Sequence, residues 1–350
     1  MTARPAPEPR RILIVRLSAI GDIVMASGLI PALRQRFAQA QISWVCEAGC
    51  APLLKHHPDL HEVIIWPRGE WEALKKAKRW GELWRAVRSF KAQMKARGFD
   101  LVLDGQGLMK SGLIGWFTGA PRRVSIIARE GSHLLAHEVV TPPSSDAPVI
   151  GSEYRFLAGY LGAAEGAFQL NLAVGVAPLA KAREAVAGHV RPLVALCPFT
   201  TRPQKHWVEA HWPQLAQALY DRGLQPVMLG GPADVEAAQR IAAAAPGLLN
   251  LVGKLKLDET VALISICQRL IGVDTGLTHM GTALKLPTLA LFGSTRPYLH
   301  GPTPSTQVMY DALPCSPCRR NPTCNGRFDC MAQLTVQRVL DAALALPEAA

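Results

Sequence analysis

Short apolar runs rich in β-branched residues alternate along the chain with longer segments of helical periodicity. In the first half, the apolar runs cover residues 11–17, 42–47, 63–66, 101–104 and 124–127. In the second half, they cover residues 193–199, 226–231, 249–253, 269–274 and 288–293. This alternation is typical of βα units that build a mostly parallel sheet. Because it occurs twice, it predicts an α/β protein with two Rossmann-like, doubly wound domains.

The junction between the two domains is placed where the strand signals fade, between about Pro142 and Pro192. We predict one domain over residues 10–175, a second over 185–332 and a closing helix over 333–350. The last segment has helical spacing and good helix formers. Ligands bind at the carboxyl ends of parallel strands, so we expect the two domains to face each other across a ligand cleft.

No segment of the sequence predicts export or membrane insertion. The first ten residues lack the apolar stretch of a signal peptide, and no later run approaches the roughly 18 to 20 apolar residues of a membrane span. We therefore expect a cytoplasmic protein. In that compartment the eight cysteines are expected to be reduced thiols or, where they cluster, metal ligands.

The formal charge of +11 is concentrated in one segment. Between Trp66 and Arg97, ten basic residues stand against three acidic ones, and four tryptophans are interleaved with them. Such an amphipathic basic stretch suits a polyanion or a membrane surface. A solvated helix face whose tryptophans pack inward would have the same pattern, and the sequence leaves both interpretations open.

The first predicted strand is followed by the sequence R-L-S-A-I-G-D at positions 16–22. Gly21 permits a tight turn, and Asp22 opens the next helix at the crevice. Asp22 is therefore either a helix cap or a residue with a chemical role. The loop lacks the G-x-G-x-x-G pattern, so a dinucleotide site is only weakly supported.

Two loops of the second domain carry groups suited to a diphosphate. The hydroxyls of Thr200 and Thr201 and the ammonium of Lys205 follow one predicted strand. The segment 273–279, V-D-T-G-L-T-H, follows another and places backbone N–H groups at a helix start. The alternative is that this second segment is only a capped helix start with a packed histidine, His279.

Five motifs occur in a fixed order over nearly the whole chain. They are R-L-S-A-I-G-D (16–22), D-G-Q-G-L-M-K (104–110), A-R-E (128–130), T-T-R-P-Q-K-H-W (200–207) and V-D-T-G-L-T-H (273–279). In these motifs the sequence resembles the lipopolysaccharide heptosyltransferases of glycosyltransferase family 9. The resemblance implies a GT-B fold and an inverting transfer of heptose from ADP-heptose to the Kdo or heptose inner core of lipopolysaccharide. It also implies a cytoplasmic enzyme in peripheral contact with the inner membrane, where the acceptor is Kdo–lipid A or heptosylated core, and no cofactor for catalysis.

The resemblance also implies roles for individual residues. Asp22 matches the general base, and Lys205 matches the cation that stabilises the leaving diphosphate. The residues implied to bind the donor are Thr200, Thr201, Lys205, Asp234, Leu255, Asp274, Thr275, Gly276, Leu277 and His279. The residues implied to bind the anionic acceptor are Arg68, Lys75, Lys76, Arg79 and Arg129.

Four cysteines cluster near the end of the chain in the pattern C-x2-C-x5-C-x5-C. They are Cys315, Cys318, Cys324 and Cys330. Four thiolates at this density can hold zinc or iron, so we predict either a structural metal or free thiols in a surface loop. The other four cysteines lie in or beside apolar runs and are predicted to be small core residues.

Two other functions would each account for part of the sequence. The basic tryptophan-rich segment and the cysteine cluster could form a nucleic-acid-binding surface, but this leaves the threonine, lysine and aspartate loops unexplained. A nicotinamide-dependent dehydrogenase would suit the fold but lacks the glycine fingerprint. Within the heptosyltransferases, the A-R-E and T-T-R-P-Q-K-H-W motifs favour transfer of the first heptose. The cysteine-rich tail favours the second, so the acceptor stays open.

Overall fold

The computed structural model describes residues 8–145, 148–318 and 321–347. The chain forms two compact units. The N-terminal unit comprises the chain up to Ser144 and the segment Gly151–Ala173, and the C-terminal unit comprises Ser145–Ile150 and the chain from Val174 onward. The chain passes from one unit to the other at three points, all within the stretch where the strand signals of the sequence fade.

The N-terminal unit is built on a sheet of six parallel strands. They are β1 (Arg11–Val15), β2 (Gln41–Glu47), β3 (Leu60–Trp66), β4 (Leu101–Asp104), β5 (Arg122–Ile126) and β6 (Glu138–Val140). Their order is β3-β2-β1-β4-β5-β6, so the chain reverses its direction across the sheet between β1 and β4. Such a reversal leaves a crevice at the carboxyl ends of the two strands, which is where open α/β sheets bind ligands.

Helices connect these strands and cover the sheet. They are α1 (Ile20–Ala26), α2 (Leu29–Arg36), α3 (Arg68–Lys76), α4 (Trp80–Ala96), α5 (Met109–Phe117) and α6 (Ser152–Tyr160). Phe90 and Met94 of α4 pack with Ile114 of α5 against apolar side chains of the central strands. The strands β1 and β4 are apolar almost throughout, as expected for parallel strands buried on both faces.

The C-terminal unit repeats this plan with a second sheet of six parallel strands. They are β7 (Leu193–Cys197), β8 (Gln225–Met228), β9 (Leu249–Asn250), β10 (Arg269–Val273), β11 (Thr288–Phe292) and β12 (Thr306–Tyr310). Their order is β12-β11-β10-β7-β8-β9. The chain therefore reverses between β7 and β10, which places the loops that follow these two strands side by side.

The helices of this unit include the end of the chain. They are α7 (Val176–Ala185), α8 (His211–Asp221), α9 (Val235–Ala243), α10 (Leu257–Ser265), α11 (Gly276–Ala283), α12 (Asp329–Ala332) and α13 (Val336–Ala345). In α13, Val339 and Leu340 belong to the core of the C-terminal unit together with Trp212 of α8. Residues 348–350 of the predicted closing helix lie outside the described residues.

Of the four edge strands, β6 and β12 are absent from the ten strands that the sequence pattern predicts. The helices α6 and α7 lie in the stretch assigned to the junction. Within the described ranges, no helix combines the length and the apolar character that crossing a membrane requires.

Candidate active site

Asp22 lies in the first turn of α1, directly after the loop that leaves the central strand β1. Its Oδ2 accepts a hydrogen bond from the Ala19 backbone N–H at 3.1 Å, which caps the helix. The same oxygen lies 2.6 Å from Nη2 of Arg16. The Asp22 side chain is 37% exposed. Both contacts engage Oδ2. No hydrogen bond to Oδ1 is present among the described residues, so Oδ1 can accept a hydrogen bond from a ligand.

Arg16 holds Asp22 from a buried position at the reversal point of the sheet. Its side chain is 11% exposed, and its Nη1 donates to the carbonyl oxygen of Gly105 at 3.2 Å. Gly105 directly follows β4, so one guanidinium connects the ends of β1 and β4. The guanidinium also lies 6.0 Å from the ring centre of Tyr154, which is buried. The position of the Asp22 carboxylate is therefore fixed by the two central strands.

A second charged cluster surrounds Glu47 at the end of β2. Its Oε1 accepts a hydrogen bond from the Ser18 hydroxyl at 3.2 Å and lies 3.0 Å from Nη1 of Arg68. Nζ of Lys110, near the start of α5, lies 3.9 Å from the same oxygen. These four side chains lie at the carboxyl ends of four different strands of one parallel sheet. Two cations, Arg68 and Lys110, are therefore brought to the edge of the sheet where Asp22 also lies.

The loop after β4 is held in one conformation by Asp104. Its Oδ1 accepts hydrogen bonds from the backbone N–H groups of Gln106 and Gly107, both at 3.0 Å. Burial raises the pKa of this carboxyl group. Gly107 has φ of +65°, and a Cβ there would lie 2.2 Å from the carbonyl oxygen of Ile126. Only glycine fits at this position, which explains why the second glycine of the D-G-Q-G-L-M-K motif is needed.

In the C-terminal unit, Lys205 and Asp274 form an ion pair between the loops that follow β7 and β10. Nζ of Lys205 lies 2.6 Å from Oδ2 of Asp274, and the two side chains are only 16% and 10% exposed. The hydroxyl of Thr200 donates to the carbonyl oxygen of Asp274 at 3.0 Å, which links the same loops a second time. His206 contacts the Thr200 carbonyl oxygen through Nε2 at 2.9 Å. A primary ammonium is thus fixed at the reversal point of this sheet.

Asp274 has two further partners. Its Oδ1 lies 3.5 Å from Nε2 of His279, and its Oδ2 accepts a hydrogen bond from the Thr295 hydroxyl. His279 is buried, and its Nδ1 lies 3.0 Å from the hydroxyl oxygen of Tyr298. Burial alone would raise the pKa of Asp274, but His279 and Lys205 outweigh it and hold that pKa well below its ordinary value. Asp274 therefore carries a permanent negative charge that holds Lys205 in place.

We expect Asp274→Asn to lower the free energy of unfolding, because the change leaves the buried Lys205 without its carboxylate. Breaking a buried pair costs about 3 to 5 kcal/mol. The folded-state pKa lies below the unfolded value of about 4. The stabilisation is therefore fully present above pH 4 and is lost as the pH falls through the folded-state pKa.

Urea unfolding at several pH values measures this effect. At pH 7.5 the Asp274→Asn variant should unfold at a lower urea concentration than the unchanged protein, and the difference should shrink below pH 4. The matched control is Asp221→Asn, an exposed carboxylate at the end of α8 that bonds only Gln217 among the described residues. Equal midpoints for the unchanged protein and the Asp274 variant at pH 7.5 would contradict a stabilising ion pair.

A family model described as glycosyltransferase family 9 (heptosyltransferase) matches residues 87–328. The chain belongs to glycosyltransferase family 9. Lipopolysaccharide heptosyltransferase 1 of Pseudomonas aeruginosa is 30% identical over 97% of this chain and 99% of its own length. Lipopolysaccharide heptosyltransferase 2 of Escherichia coli K12 is 28% identical over 95% of this chain and 97% of its own. The structure of E. coli ADP-heptose LPS heptosyltransferase II superimposes with a TM-score of 0.77 at 26% identity, covering 96% of this chain and 98% of that one.

Membership in glycosyltransferase family 9 confirms the prediction that the chain is a glycosyltransferase. The structural match confirms the predicted pair of Rossmann-like domains of the GT-B type. The matched region of the family model begins inside α4 and ends in the cysteine-rich segment, so it includes the Lys205 and Asp274 loops.

The family donor residues implied by the sequence fall into two sets. Thr200, Lys205, Asp274 and His279 share the hydrogen-bonded network described above. The half-buried residues Thr275, Gly276 and Leu277 form the start of α11 beside it, and Thr201 is exposed on the Lys205 loop.

Asp234 and Leu255 lie apart from that network. Asp234 accepts a hydrogen bond from the Gly231 N–H at 2.8 Å and caps the turn before α9. Leu255 is half-buried between β9 and α10. No contact in the described part of the chain joins either residue to Lys205. Both follow strands of the same parallel sheet, so they lie at the edge to which the network belongs.

The five residues implied to bind the acceptor also divide. Arg68 joins the Glu47 cluster, and it pairs in addition with Glu72 at 2.6 Å. Arg129 is exposed in the loop after β5, where its backbone N–H donates to the Gly107 carbonyl oxygen at 2.7 Å. Lys75 and Lys76 are exposed in the last turn of α3, and Arg79 pairs with Glu82. No described contact connects these last three residues to the Glu47 cluster.

Sequence reasoning missed several members of both clusters. Arg16, Glu47 and Lys110 in the N-terminal unit, and Thr295 and Tyr298 in the C-terminal unit, were given no role. Each follows the carboxyl end of a predicted strand or lies within a quoted motif, and this position is a signal that could have found them. Arg16 in particular is the first residue of R-L-S-A-I-G-D.

The four clustered cysteines differ in their exposure to solvent. Cys330 is buried, Cys318 and Cys324 are half-buried, and Cys315 is exposed. Burial raises the pKa of Cys330 to about 11, and the other three thiols add to this shift. Among the described residues, no group of three or more His, Cys, Asp or Glu side chains is arranged to hold a metal ion. The zinc or iron is therefore not confirmed, and a structural metal and free thiols in a surface loop both stay predictions.

The other four cysteines are buried, which confirms that they are small core residues. They are Cys46, Cys50, Cys197 and Cys267. Burial raises the pKa of Cys46 to about 12 and that of Cys50 to about 11. Thiols with such high pKa values are poor nucleophiles at neutral pH, so these side chains act through packing.

Proposed function

We propose that the chain transfers a heptose from ADP-heptose to the inner core of lipopolysaccharide, with Kdo–lipid A or a heptosylated core as acceptor. The observation that carries the proposal is the Lys205–Asp274 ion pair at the reversal point of the C-terminal sheet. The membership of the chain in glycosyltransferase family 9 supports heptose as the sugar, and so does the donor named for the similar E. coli structure. The domain over residues 185–332 then binds the nucleotide sugar, and the domain over residues 10–175 binds the acceptor.

The donor diphosphate is proposed to lie against Lys205 and the start of α11. The Lys205 ammonium and the Thr201 hydroxyl would contact phosphate oxygens, and the Thr200 hydroxyl would join them when its hydrogen turns from the Asp274 carbonyl oxygen to the ligand. Backbone N–H groups at the start of α11 add the positive end of the helix dipole. Asp274 keeps Lys205 extended towards the site and can accept a hydrogen bond from a sugar hydroxyl, and His279 holds the Asp274 carboxylate in place through Nε2. Leu255 would line the adenine and Asp234 the ribose.

The transfer is proposed to be a single displacement with inversion. The acceptor hydroxyl gives its proton to Oδ1 of Asp22 as its oxygen forms a bond with the anomeric carbon. The bond from that carbon to the diphosphate breaks at the same time, and its electron pair leaves with ADP. Lys205 stabilises the negative charge that grows on the leaving oxygen. The step needs no covalent intermediate and no cofactor.

The acceptor in this proposal is anionic and lipid-borne. The cations implied to meet it are Arg68, Lys75, Lys76, Arg79 and Arg129. Their charge matches the phosphates and carboxylates of a Kdo–lipid A head group. The protein would therefore work in the cytoplasm as a peripheral protein at the inner membrane, where anionic lipids attract basic surfaces.

An acceptor panel tests this function. ADP release from ADP-heptose is measured with Kdo–lipid A, with the same acceptor carrying one heptose and with longer cores. We expect release with one of the first two, and that acceptor identifies whether the enzyme adds the first or the second heptose. With every acceptor, UDP-glucose should release no UDP and GDP-mannose should release no GDP. Failure of ADP-heptose with the whole panel would overturn the proposal.

Arg16 should act as a positioning residue for Asp22. Arg16→Met removes the 2.6 Å contact to the carboxylate, and a hydrogen bond to a charged group contributes about 1.5 to 3 kcal/mol. We expect kcat to fall about tenfold or more. The Kd for ADP should not change, because Arg16 belongs to the N-terminal unit.

The conservative variant Arg16→Lys separates positioning from folding. It keeps a cation beside Asp22 but lacks the two nitrogens that contact Asp22 and Gly105 together. Its kcat should lie between those of the Met variant and the unchanged enzyme. A Met variant with full kcat would exclude the positioning role.

A further inference from the structure

Two of the four tryptophans in the basic segment are left outside the core. Trp66 and Trp71 pack inward, and Trp71 meets Phe90 edge-on at 5.6 Å between ring centres. Trp80 and Trp84, in contrast, are 57% and 60% exposed. They are four residues apart at the start of α4 and thus lie on one side of the helix. Two large apolar rings side by side in water are an unusual surface feature that calls for a partner.

The sequence beside these two indoles carries cations that form no ion pair with any described residue. Two acidic residues of the segment are engaged within it, Glu72 with Arg68 and Glu82 with Arg79. Other cations of the segment make no ion pair with any described residue. They include Lys75, Lys76, Lys78, Arg85 and Arg88, all of which are exposed. We call Trp80 and Trp84, with Lys78, Arg85 and Arg88, the tryptophan face. It combines apolar rings with uncompensated positive charge.

The geometry of Arg88 favours a lipid surface over a nucleic acid as the partner. Its guanidinium lies 5.1 Å from the ring centre of Trp84 and covers one face of the indole. Single-stranded nucleic acids are bound by stacking bases on open aromatic faces along a groove. An indole next to a cation on a single exposed helix instead resembles the arrangement at membrane interfaces, where the ring lies among head groups and the cation meets lipid phosphate.

We propose that the tryptophan face docks on an anionic lipid bilayer, with Trp80 and Trp84 inserted at head-group level. The docking deepens the proposed function, because it names the surface by which the N-terminal unit meets a lipid-borne acceptor. The surface itself is argued from its own side chains and does not depend on the donor chemistry.

Cosedimentation of the full chain with vesicles tests the docking. One set of vesicles is phosphatidylcholine alone, and the other contains about 30% phosphatidylglycerol, whose negative charge attracts basic segments. Binding should be confined to the anionic set. Trp80→Ala with Trp84→Ala should weaken it at least about tenfold, from the loss of two buried rings. Lys78→Gln, Arg85→Gln and Arg88→Gln together should weaken it about a hundredfold, or about fivefold for each cation.

Matched controls come from exposed residues elsewhere. Leu134→Ala removes an exposed apolar side chain of the same unit, and Arg183→Gln with Lys285→Gln removes two exposed cations of the C-terminal unit. Both should bind vesicles as the unchanged protein does. Equal binding by the tryptophan double variant, or binding of a single-stranded RNA in preference to anionic vesicles, would overturn the proposal.

A soluble acceptor separates this proposal from the proposed function. With a delipidated core oligosaccharide, the tryptophan double variant should release ADP at the rate of the unchanged enzyme. With the acceptor embedded in anionic vesicles, its rate should fall. If vesicle binding depends on the tryptophans but no acceptor releases ADP, the docking stands and the proposed function fails. If ADP is released but the tryptophan double variant binds vesicles as the unchanged protein does, the docking proposal fails and the proposed function stands.

Discussion

Replacing Asp22 by Asn should reduce turnover by about 10² to 10⁴-fold, the range expected for the loss of a general base. The amide can still accept the Ala19 N–H bond that caps α1, so the fold should persist. Donor affinity should not change, because the donor is proposed to bind the C-terminal unit. The measurement pairs kcat from ADP release with the Kd for ADP-heptose from titration calorimetry.

The control for this change is Asp59→Asn. Asp59 belongs to the same unit, is also 37% exposed and also pairs with an arginine, Arg34 at 3.5 Å. It lies before β3 at the opposite end of the sheet from the carboxyl edge, so its amide variant should keep full activity. An Asp22→Asn enzyme with unchanged kcat would remove Asp22 from the mechanism.

Replacing Lys205 by Met should weaken both donor binding and turnover. The ammonium is proposed to contact the diphosphate in the bound donor and to stabilise the charge that grows on it. Removal of one such donor to a developing anion lowers kcat by about 10² to 10³-fold. The loss of its ground-state contact should raise the Kd for ADP about tenfold or more. Titration with ADP and with adenosine isolates the phosphate contact. Adenosine lacks the phosphates, so it should bind the Lys205→Met variant and the unchanged enzyme with the same affinity.

Lys181→Met serves as the matched control for Lys205→Met. Lys181 belongs to the same unit and pairs with Glu184 at 2.7 Å, but it lies on α7 with its side chain 62% exposed. Its variant should bind ADP like the unchanged enzyme. If Lys205→Met bound ADP with undiminished affinity, the diphosphate site would have to lie elsewhere.

The repeating βα pattern predicted both sheets because their central strands are buried on both faces and therefore read as continuous apolar runs. Two of the four edge strands, β6 and β12, were missed because they lack such a run, whereas the edge strands β3 and β9 contain one. In β12 only Thr306 is buried, and β6 has three residues, of which one is buried. Such strands pair on one side only and lack an apolar signature. The helices α6 and α7 were missed because their stretch is short of strand signals and was assigned to a junction.

Much of the candidate site could be predicted from loop positions, since parallel strands bring their carboxyl ends to one edge. Thr200, Lys205 and Asp274 are 74 residues apart at their extremes, yet the structure joins them as expected. The contacts of Arg16 and Tyr298 could not be predicted, because they depend on which strands are neighbours. Strand order is set by packing of the whole sheet and not by any local pattern.

The basic segment shows the same limit at the level of side chains. Its periodicity predicts helices but does not say which tryptophans turn inward. The structure buries Trp66 and half-buries Trp71 while leaving Trp80 and Trp84 exposed, so the inward packing expected for a solvated helix holds for two of the four tryptophans only.

The anomeric configuration of the product tests the central claim most directly. The account requires one displacement, in which Asp22 takes the acceptor proton while the diphosphate leaves towards Lys205. Proton NMR of the newly formed glycosidic bond should therefore show the configuration opposite to that of the donor. Retention of the donor configuration would require a second displacement or a different face of attack, and it would contradict the assignment of Asp22 as the base.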